Sequence, residues 1–287
     1  MKQLLILSGK GGTGKTTIAS AFIRLSNAKA YADCDVDAPN LHLLYGVANG
    51  ESDTRDYYAL PTAIVDDTRC IGCMRCQSYC KFGAISSKNS RAYVDVHSCE
   101  GCGVCAMVCP ANAIDMRELP AGKIMLEKDD DRVFAHAELK MGSGTTGKLV
   151  TEVKKTLIKN VHGADIAIVD GSPGIGCPVI ASLSGVDTVL IVAEPSLSGV
   201  SDMKRIVDTA RGFGVKVAVC VNKYDLNRER AEEIERYCVE NDLYFAGTIP
   251  YDNMALKAIN GGKTIVDIPC ESGKAVENIY RNVMEYM

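Results

Sequence analysis

The chain has 287 residues, 47% of them apolar, and a formal net charge of −4 with no block of basic residues. That length buries one large core or two smaller ones, and the missing basic patch argues against a nucleic-acid partner. No run of about 18 apolar residues occurs, so stable insertion of a helix into a membrane is not expected.

The N-terminus goes straight into an apolar strand over residues 3–8, too short and without the cleavage site of a signal peptide. Gly9-Lys10-Gly11-Gly12-Thr13-Gly14-Lys15-Thr16-Thr17 follows. Gly9-x4-Gly14-Lys15-Thr16 is a Walker A pattern in its required setting, after a strand and before a helix. Its glycines let the backbone N–H groups of this segment converge on phosphate oxygens, and the helix N-terminus adds favourable partial positive charge. Lys15 is expected at the β- and γ-phosphates and Thr16 on Mg²⁺. Next comes Asp33-Cys34-Asp35-Val36-Asp37-Ala38-Pro39-Asn40, three aspartates in five residues, which unaided could be a turn at a strand end.

Residues 60–118 break the rhythm of strand and helix. Eight of the thirteen cysteines fall into two runs, Cys70-x2-Cys73-x2-Cys76-x3-Cys80 and Cys99-x2-Cys102-x2-Cys105-x3-Cys109-Pro110, offset by 29 residues. A repeat this short cannot bury its own core, so the halves should pair into one inserted unit. Thiolates at i, i+3 and i+6 wrap three corners of an iron–sulfur cube, and in two-cluster ferredoxins the fourth cysteine goes to the other cluster. Cys70, Cys73, Cys76 and Cys109 are therefore expected on one [4Fe–4S] cluster. Cys99, Cys102, Cys105 and Cys80 are expected on the second. The competing reading, structural zinc, favours two spaced pairs of ligands. The segment resembles bacterial two-cluster ferredoxins, departing at Lys81 where the second run has Pro110. Two clusters in so small a unit suit electron relay. Such cysteine use beside an ATP-type loop points to metal ligation in a reducing cytoplasm.

The stretch Glu127-Lys128-Asp129-Asp130-Asp131-Arg132 reads as a solvated loop back to the main domain. In Phe134–Glu138 the alternation is that of a strand, although His136 and Glu138 could belong to a site. A second glycine pattern, Gly142-x4-Gly147-Lys148, is followed by Leu149 and lacks a preceding strand, so it reads as a loop and helix start. Short apolar runs at 166–169, 188–192, 215–221 and 244–249 predict buried strands, with helices near 147–159, 199–212, 228–241 and 273–286. The alternation predicts an α/β fold with a mostly parallel sheet. The main domain is expected over 1–59 and 119–287, with the insert at 60–118. The last helix is amphipathic but not basic, which ranks a membrane-targeting role low.

Lys10-Gly11-Gly12-Thr13-Gly14-Lys15-Thr16 resembles the deviant Walker A of the MinD/ParA superfamily, which includes the nitrogenase iron protein and the Mrp-type cluster carriers. The resemblance covers about 1–58 and 120–287. It implies a homodimer on ATP binding, with Lys10 reaching the partner's nucleotide as a trans-acting charge. It implies that Asp35 positions the attacking water and belongs to the Mg²⁺ site, with Asp33 or Asp37 supporting Mg²⁺ or the switch. Asp170, in Asp170-Gly171-Ser172-Pro173-Gly174, then stands on the Mg²⁺ shell as a Walker B aspartate. Asn222-Lys223 and Pro250-Tyr251-Asp252 resemble the base-binding loops. Cys177 lies where the nitrogenase iron protein places a bridging-cluster ligand, but no second cysteine matches. It carries an optional metal or redox role beside a structural one.

Together these readings imply an ATP-hydrolysing, Mg²⁺-dependent iron–sulfur protein. A nucleotide-dependent dimer switch would gate electron transfer to an unidentified partner. The alternatives are a metallocofactor assembly or carrier ATPase, acting on a cofactor-accepting partner, and a MinD/ParA-like positioning ATPase.

Overall fold

The apolar run Leu4–Leu7 is buried in the first strand, near the middle of the main sheet. The computed structural model describes residues 1–46, 51–129 and 131–287. In chain order the elements are β1 Lys2–Ser8, α1 Lys15–Ser26, β2 Ala30–Asp33, α2 His42–Tyr45, β3 Glu51–Tyr58, β4 Thr62–Val65, α3 Arg75–Tyr79 and β5 Ile85–Lys88. They continue with β6 Arg91–Val94, α4 Val104–Met107, β7 Ile114–Arg117, β8 Pro120–Lys128, β9 Val133–Leu139, α5 Thr146–Asn160 and β10 Ile166–Pro173. The last are α6 Cys177–Leu183, β11 Thr188–Ala193, α7 Leu197–Gly212, β12 Lys216–Asn222, α8 Arg228–Glu240, β13 Tyr244–Ile249, α9 Met254–Asn260 and α10 Glu271–Tyr286. Two compact units result, one of residues 1–54, 124–138 and 146–287, the other of residues 55–123 and 139–145.

The first unit is organised by a sheet of order β13-β12-β11-β1-β10-β2-β9-β8-β3. From β13 to β9 the neighbours pair in parallel. Leu4 to Leu7, Ile168, Val169 and Val189 to Val192 are fully buried, as expected for parallel strands covered on both faces. Strand order reverses at β1: the chain moves to β2 on one side and later crosses to β11 on the other. In open α/β sheets, ligands bind outside the carboxyl ends of the strands at such a reversal. The glycine loop follows β1, Glu194 follows β11, and Asp170 lies in the second half of β10. Among the described residues no helix is long and apolar enough to cross a membrane.

The second unit contains two antiparallel pairs, β4 with β7 and β5 with β6, and two short helices. The repeat read from the sequence is also a repeat of backbone conformation. Positive φ recurs 29 residues apart at Gly72 and Gly101, at Met74 and Gly103, and at Gly83 and Asn112. The buried core is small, formed by Ala63, Ile85, Ala92, Val94 and Ile114 together with Cys76 and Cys105. Units of this size rarely stabilise themselves through an apolar core alone.

One sequence expectation, the solvated loop over residues 127–132, is corrected in the first unit, and the strand read over 134–138 is present as β9. Glu127 and Lys128 belong to β8, whose alternation buries Ile124 and Leu126. Only the turn from Asp129 to Arg132, closed by Asp129 N–H donating to the Arg132 carbonyl at 3.1 Å, leads back into β9, and Asp130 lies outside the described residues. His136 is a buried strand residue, with Nε2 2.9 Å from Glu127 Oε1 and its ring stacked on Phe134. Burial holds its pKa below the ordinary histidine value against the pull of Glu127.

Candidate functional site

The glycine loop passes into α1 through Gly14, which adopts φ +92°, and a Cβ there would lie 2.4 Å from Asn222 Nδ2. Only glycine fits both that conformation and that approach. Asn222 in turn donates from Nδ2 to the Thr13 carbonyl at 2.7 Å, and Lys223 Nζ donates to the Gly12 carbonyl at 3.0 Å. The end of β12 thus braces the loop from outside. Thr13 Oγ1 is buried without a partner among the described residues, the kind of orphaned donor that a bound oxyanion satisfies.

Lys15 Nζ lies 2.6 Å from Asp170 Oδ1 and 3.9 Å from Asp35 Oδ2. Thr16 Oγ1 donates to Asp170 Oδ2 at 2.6 Å. Burial works against the Lys15 ammonium, but Asp170, then Asp35 and Asp33, outweigh it and hold its pKa above the ordinary lysine value. The structure therefore brings Lys15, Thr16, Asp35 and Asp170 together at one point, with a cation, a hydroxyl and two carboxylates available for a divalent ion and phosphate charge. Asp33 faces the backbone instead. Its carboxylate accepts from the N–H groups of Asp35, Asn40 and Leu41 at 2.9, 3.0 and 3.0 Å. It fastens the segment that presents Asp35.

Lys10 does not join that cluster. Its Nζ lies 2.5 Å from Glu194 Oε2 and donates to Ser196 Oγ at 3.3 Å. Burial opposes the Glu194 charge, but Lys10 and Lys223 outweigh it and keep its pKa below the usual glutamate value. Glu194 and Ser196 were missed by sequence reasoning. Their signal is weak but present: a glutamate at the carboxyl end of a buried strand, followed by the serine that caps α7 through Gly199 N–H at 3.1 Å.

Beside the loop opens a cavity of about 340 Å³ whose walls include Gly12, Gly14, Asn222, Pro250, Tyr251 and Asp252. Its far side is apolar, with Ile18, Ile249, Leu256 and Val276, which suits a flat heterocycle. Asp252 is occupied within the fold, accepting from Met254 N–H at 2.8 Å and Ser272 Oγ–H at 2.9 Å. It fixes this wall of the cavity through both carboxylate oxygens.

In the second unit, Cys70, Cys73, Cys76 and Cys109 line one cavity, while Cys80, Cys99, Cys102 and Cys105 line another. All eight thiols are free of disulfides. Ala113 N–H donates to Cys109 Sγ at 3.3 Å. Among the described residues no three His, Cys, Asp or Glu side chains converge tightly enough to chelate a single ion. Of the other cysteines, burial pushes the thiols of Cys34, Cys220 and Cys238 up to about 12, and Cys270 caps α10. Cys177 is exposed at the first residue of α6 and lines neither cysteine cavity.

The family model of the CobQ/CobB/MinD/ParA nucleotide binding domain matches residues 4–265. The uncharacterized protein MJ0578 of Methanocaldococcus jannaschii is 30% identical over 291 residues, covering 99% of this chain and 97% of its own. Protein MJ0579 of the same organism is 32% identical over 234 residues, covering 79% and 83%. Among solved structures, the septum site-determining protein MinD of Pyrococcus horikoshii, complexed with Mg-ADP, matches with a TM-score of 0.60 at 17% identity, covering 99% of this chain and 96% of that one. At that identity the likeness establishes the fold alone.

Proposed function

The chain belongs to the CobQ/CobB/MinD/ParA nucleotide-binding family, and from that premise we propose that it hydrolyses Mg-ATP as a dimer and couples the nucleotide state to electron transfer through two [4Fe–4S] clusters. In this reading Lys15 neutralises phosphate charge, Thr16 and Asp170 hold Mg²⁺, Asp35 orients the attacking water, and Lys10 serves the partner's nucleotide. The cavity walled by Asn222 and Pro250 takes the base.

The observation that carries the redox half is the sorting of eight cysteines into two crossed quartets around two cavities. A zinc site gathers its sulfurs about 2.3 Å from one ion. A four-iron cube spreads its four sulfurs over four irons, which suits one cysteine quartet around each cavity. The small apolar core of the second unit supports the same reading, since a bound cluster supplies the missing centre. When bound, such clusters carry one electron each at potentials set by their surroundings. The reading places the protein in a reducing compartment, with a redox protein as its partner.

The test is an anaerobic redox titration of Asp35→Ala protein without nucleotide and with Mg-ATP. A shift of about 59 mV, tenfold for a one-electron couple, ties ATP to electron delivery. Potentials that do not move, in protein that has bound nucleotide, reject direct tuning. A second reading, a positioning ATPase, draws on the septum site-determining role named for the MinD structure that shares the fold. Nucleotide-dependent pelleting with vesicles or DNA would favour it.

A further inference from the structure

The segment Leu139–Thr145 belongs to the second unit, and the next residue, Thr146, begins α5 in the first. Within the second unit this segment is pinned. Lys140 N–H donates to the Ala121 carbonyl and Lys140 Nζ to the Pro120 carbonyl, both at 2.8 Å. Thr145 Oγ1 is 3.0 Å from Tyr57 Oη, and a Cβ on Gly142 would stand 3.1 Å from His97 Nδ1. The segment walls a cavity of about 430 Å³ that reaches Cys99 and Glu100. It does not line the cavity of Cys70, Cys73, Cys76 and Cys109.

On the other side of Thr146, α5 grips α6 at both ends. At its start, a Cβ on Gly147 would lie 3.1 Å from the Cys177 carbonyl oxygen and 3.2 Å from Cys177 Cβ, so the helices approach backbone to side chain. Two turns on, Lys154 buries its side chain and donates from Nζ to the carbonyls of Ser182 and Ser184 at 2.6 Å each. Among the described residues it has no carboxylate partner. The negative end of α6 is what compensates this buried ammonium. Pulling α6 away would leave a charge unsolvated in the interior, so the two helices must move as one body. α6 itself starts three residues after Gly174, which turns the chain out of β10 at φ +92°.

We propose that Lys154 is a positioning residue that locks α6 to α5, so that movement of the Asp170–Gly174 segment is passed along α5 into the Leu139–Thr145 segment beside Cys99. The inference rests on the nucleotide-switch reading above and makes the response of the second unit asymmetric. Surroundings of Cys99 change with nucleotide, and those of Cys70 do not follow by this route.

Hydrogen–deuterium exchange on the full chain, with Mg-ADP and with a non-hydrolysable Mg-ATP analogue, tests it. In wild type, residues 139–145 and 177–184 are expected to change protection together. In Lys154→Met the change at 177–184 should persist while that at 139–145 shrinks by roughly fivefold or more, the lower end of ordinary coupling. Lys154→Arg should restore it, and Lys155→Met, on the exposed side of the same helix, should behave as wild type. A wild-type response at 177–184 with none at 139–145, or a Lys154→Met protein that responds like wild type, overturns the proposal and leaves the nucleotide switch standing. No wild-type response in either segment overturns both. If Lys154→Met does not fold, Gly147→Val opens the other end of the grip and must give the same uncoupling.

Discussion

Asp35 is a half-buried carboxylate 3.9 Å from the Lys15 ammonium, and burial is the main reason its pKa rises to about 6. Lys15 pulls the other way, while Asp33, Asp170 and Asp37 add to the rise. A carboxylate whose pKa is higher folded than unfolded binds its proton more tightly in the folded state. Its ionisation therefore erodes stability as pH climbs from about 4 through 6, and the full deficit is present above that. The same ionisation is what lets Asp35 accept a hydrogen bond from water. Two consequences separate. ATP hydrolysis should fall on the acid side as Asp35 takes up its proton, and Asp35→Asn should lower the rate by about a hundredfold or more. In nucleotide-free protein, Asp35→Asn should raise stability at pH 7–8 by about 1–3 kcal/mol, a gap that closes below about pH 4. Thermal scans across pH beside rate measurements check both, and a variant that loses rate and stability together contradicts the account.

The second unit shows how one element repeats at the level of backbone conformation. Gly72 and Gly101 occupy matching places in the two cysteine runs, both at positive φ, and a Cβ would strike the Ser90 carbonyl at 2.2 Å or the Pro61 carbonyl at 2.4 Å. Gly83 also has positive φ, but a Cβ there meets nothing within 4 Å, and its counterpart is Asn112, which carries a side chain. If the proposed clusters are present, Gly72→Ala or Gly101→Ala should displace the neighbouring cysteines of that run and take bound iron from about eight to about four per chain or lower. Gly83→Ala should keep its iron and cost only about 1 kcal/mol. Iron and acid-labile sulfide analysis decides between them. This contrast also explains what the sequence made legible. The cysteine runs and the glycine loop have spacings dictated by chemistry within one short segment, so they could be read directly, as could the buried parallel strands. The bracing of the loop by Asn222 and Lys223, and the pairing of Lys10 with Glu194, join distant segments and leave only a polar strand end in the sequence. Lys154 looks like any solvated lysine of an amphipathic helix until α6 is packed against it. The span Pro120–Lys128 does not read as a strand because its charges mask a half-buried alternation.

At the scale of the whole molecule, the question is what Lys10 does when a second chain is present. In the single chain its ammonium is held by Glu194 and Ser196, away from the Lys15, Asp35 and Asp170 cluster that would act on its own nucleotide. A lysine that acted in cis would be expected to join that cluster. One that acts in trans need only be displayed at the mouth of the loop, where its side chain is about a third exposed. The two roles part company in a mixing experiment. Lys10→Ala should bind nucleotide yet hydrolyse it about a thousandfold more slowly, and Asp35→Ala should form an ATP-dependent dimer by light scattering without turning over. Mixed, the two pair so that the Asp35→Ala protomer lends its Lys10 to the nucleotide of the Lys10→Ala protomer, which still has Asp35. With random pairing, half the dimers are mixed and each has one working site, so about a quarter of wild-type activity should return. A lysine acting in cis leaves both sites of the mixed dimer defective, and activity would stay at the level of the separate variants.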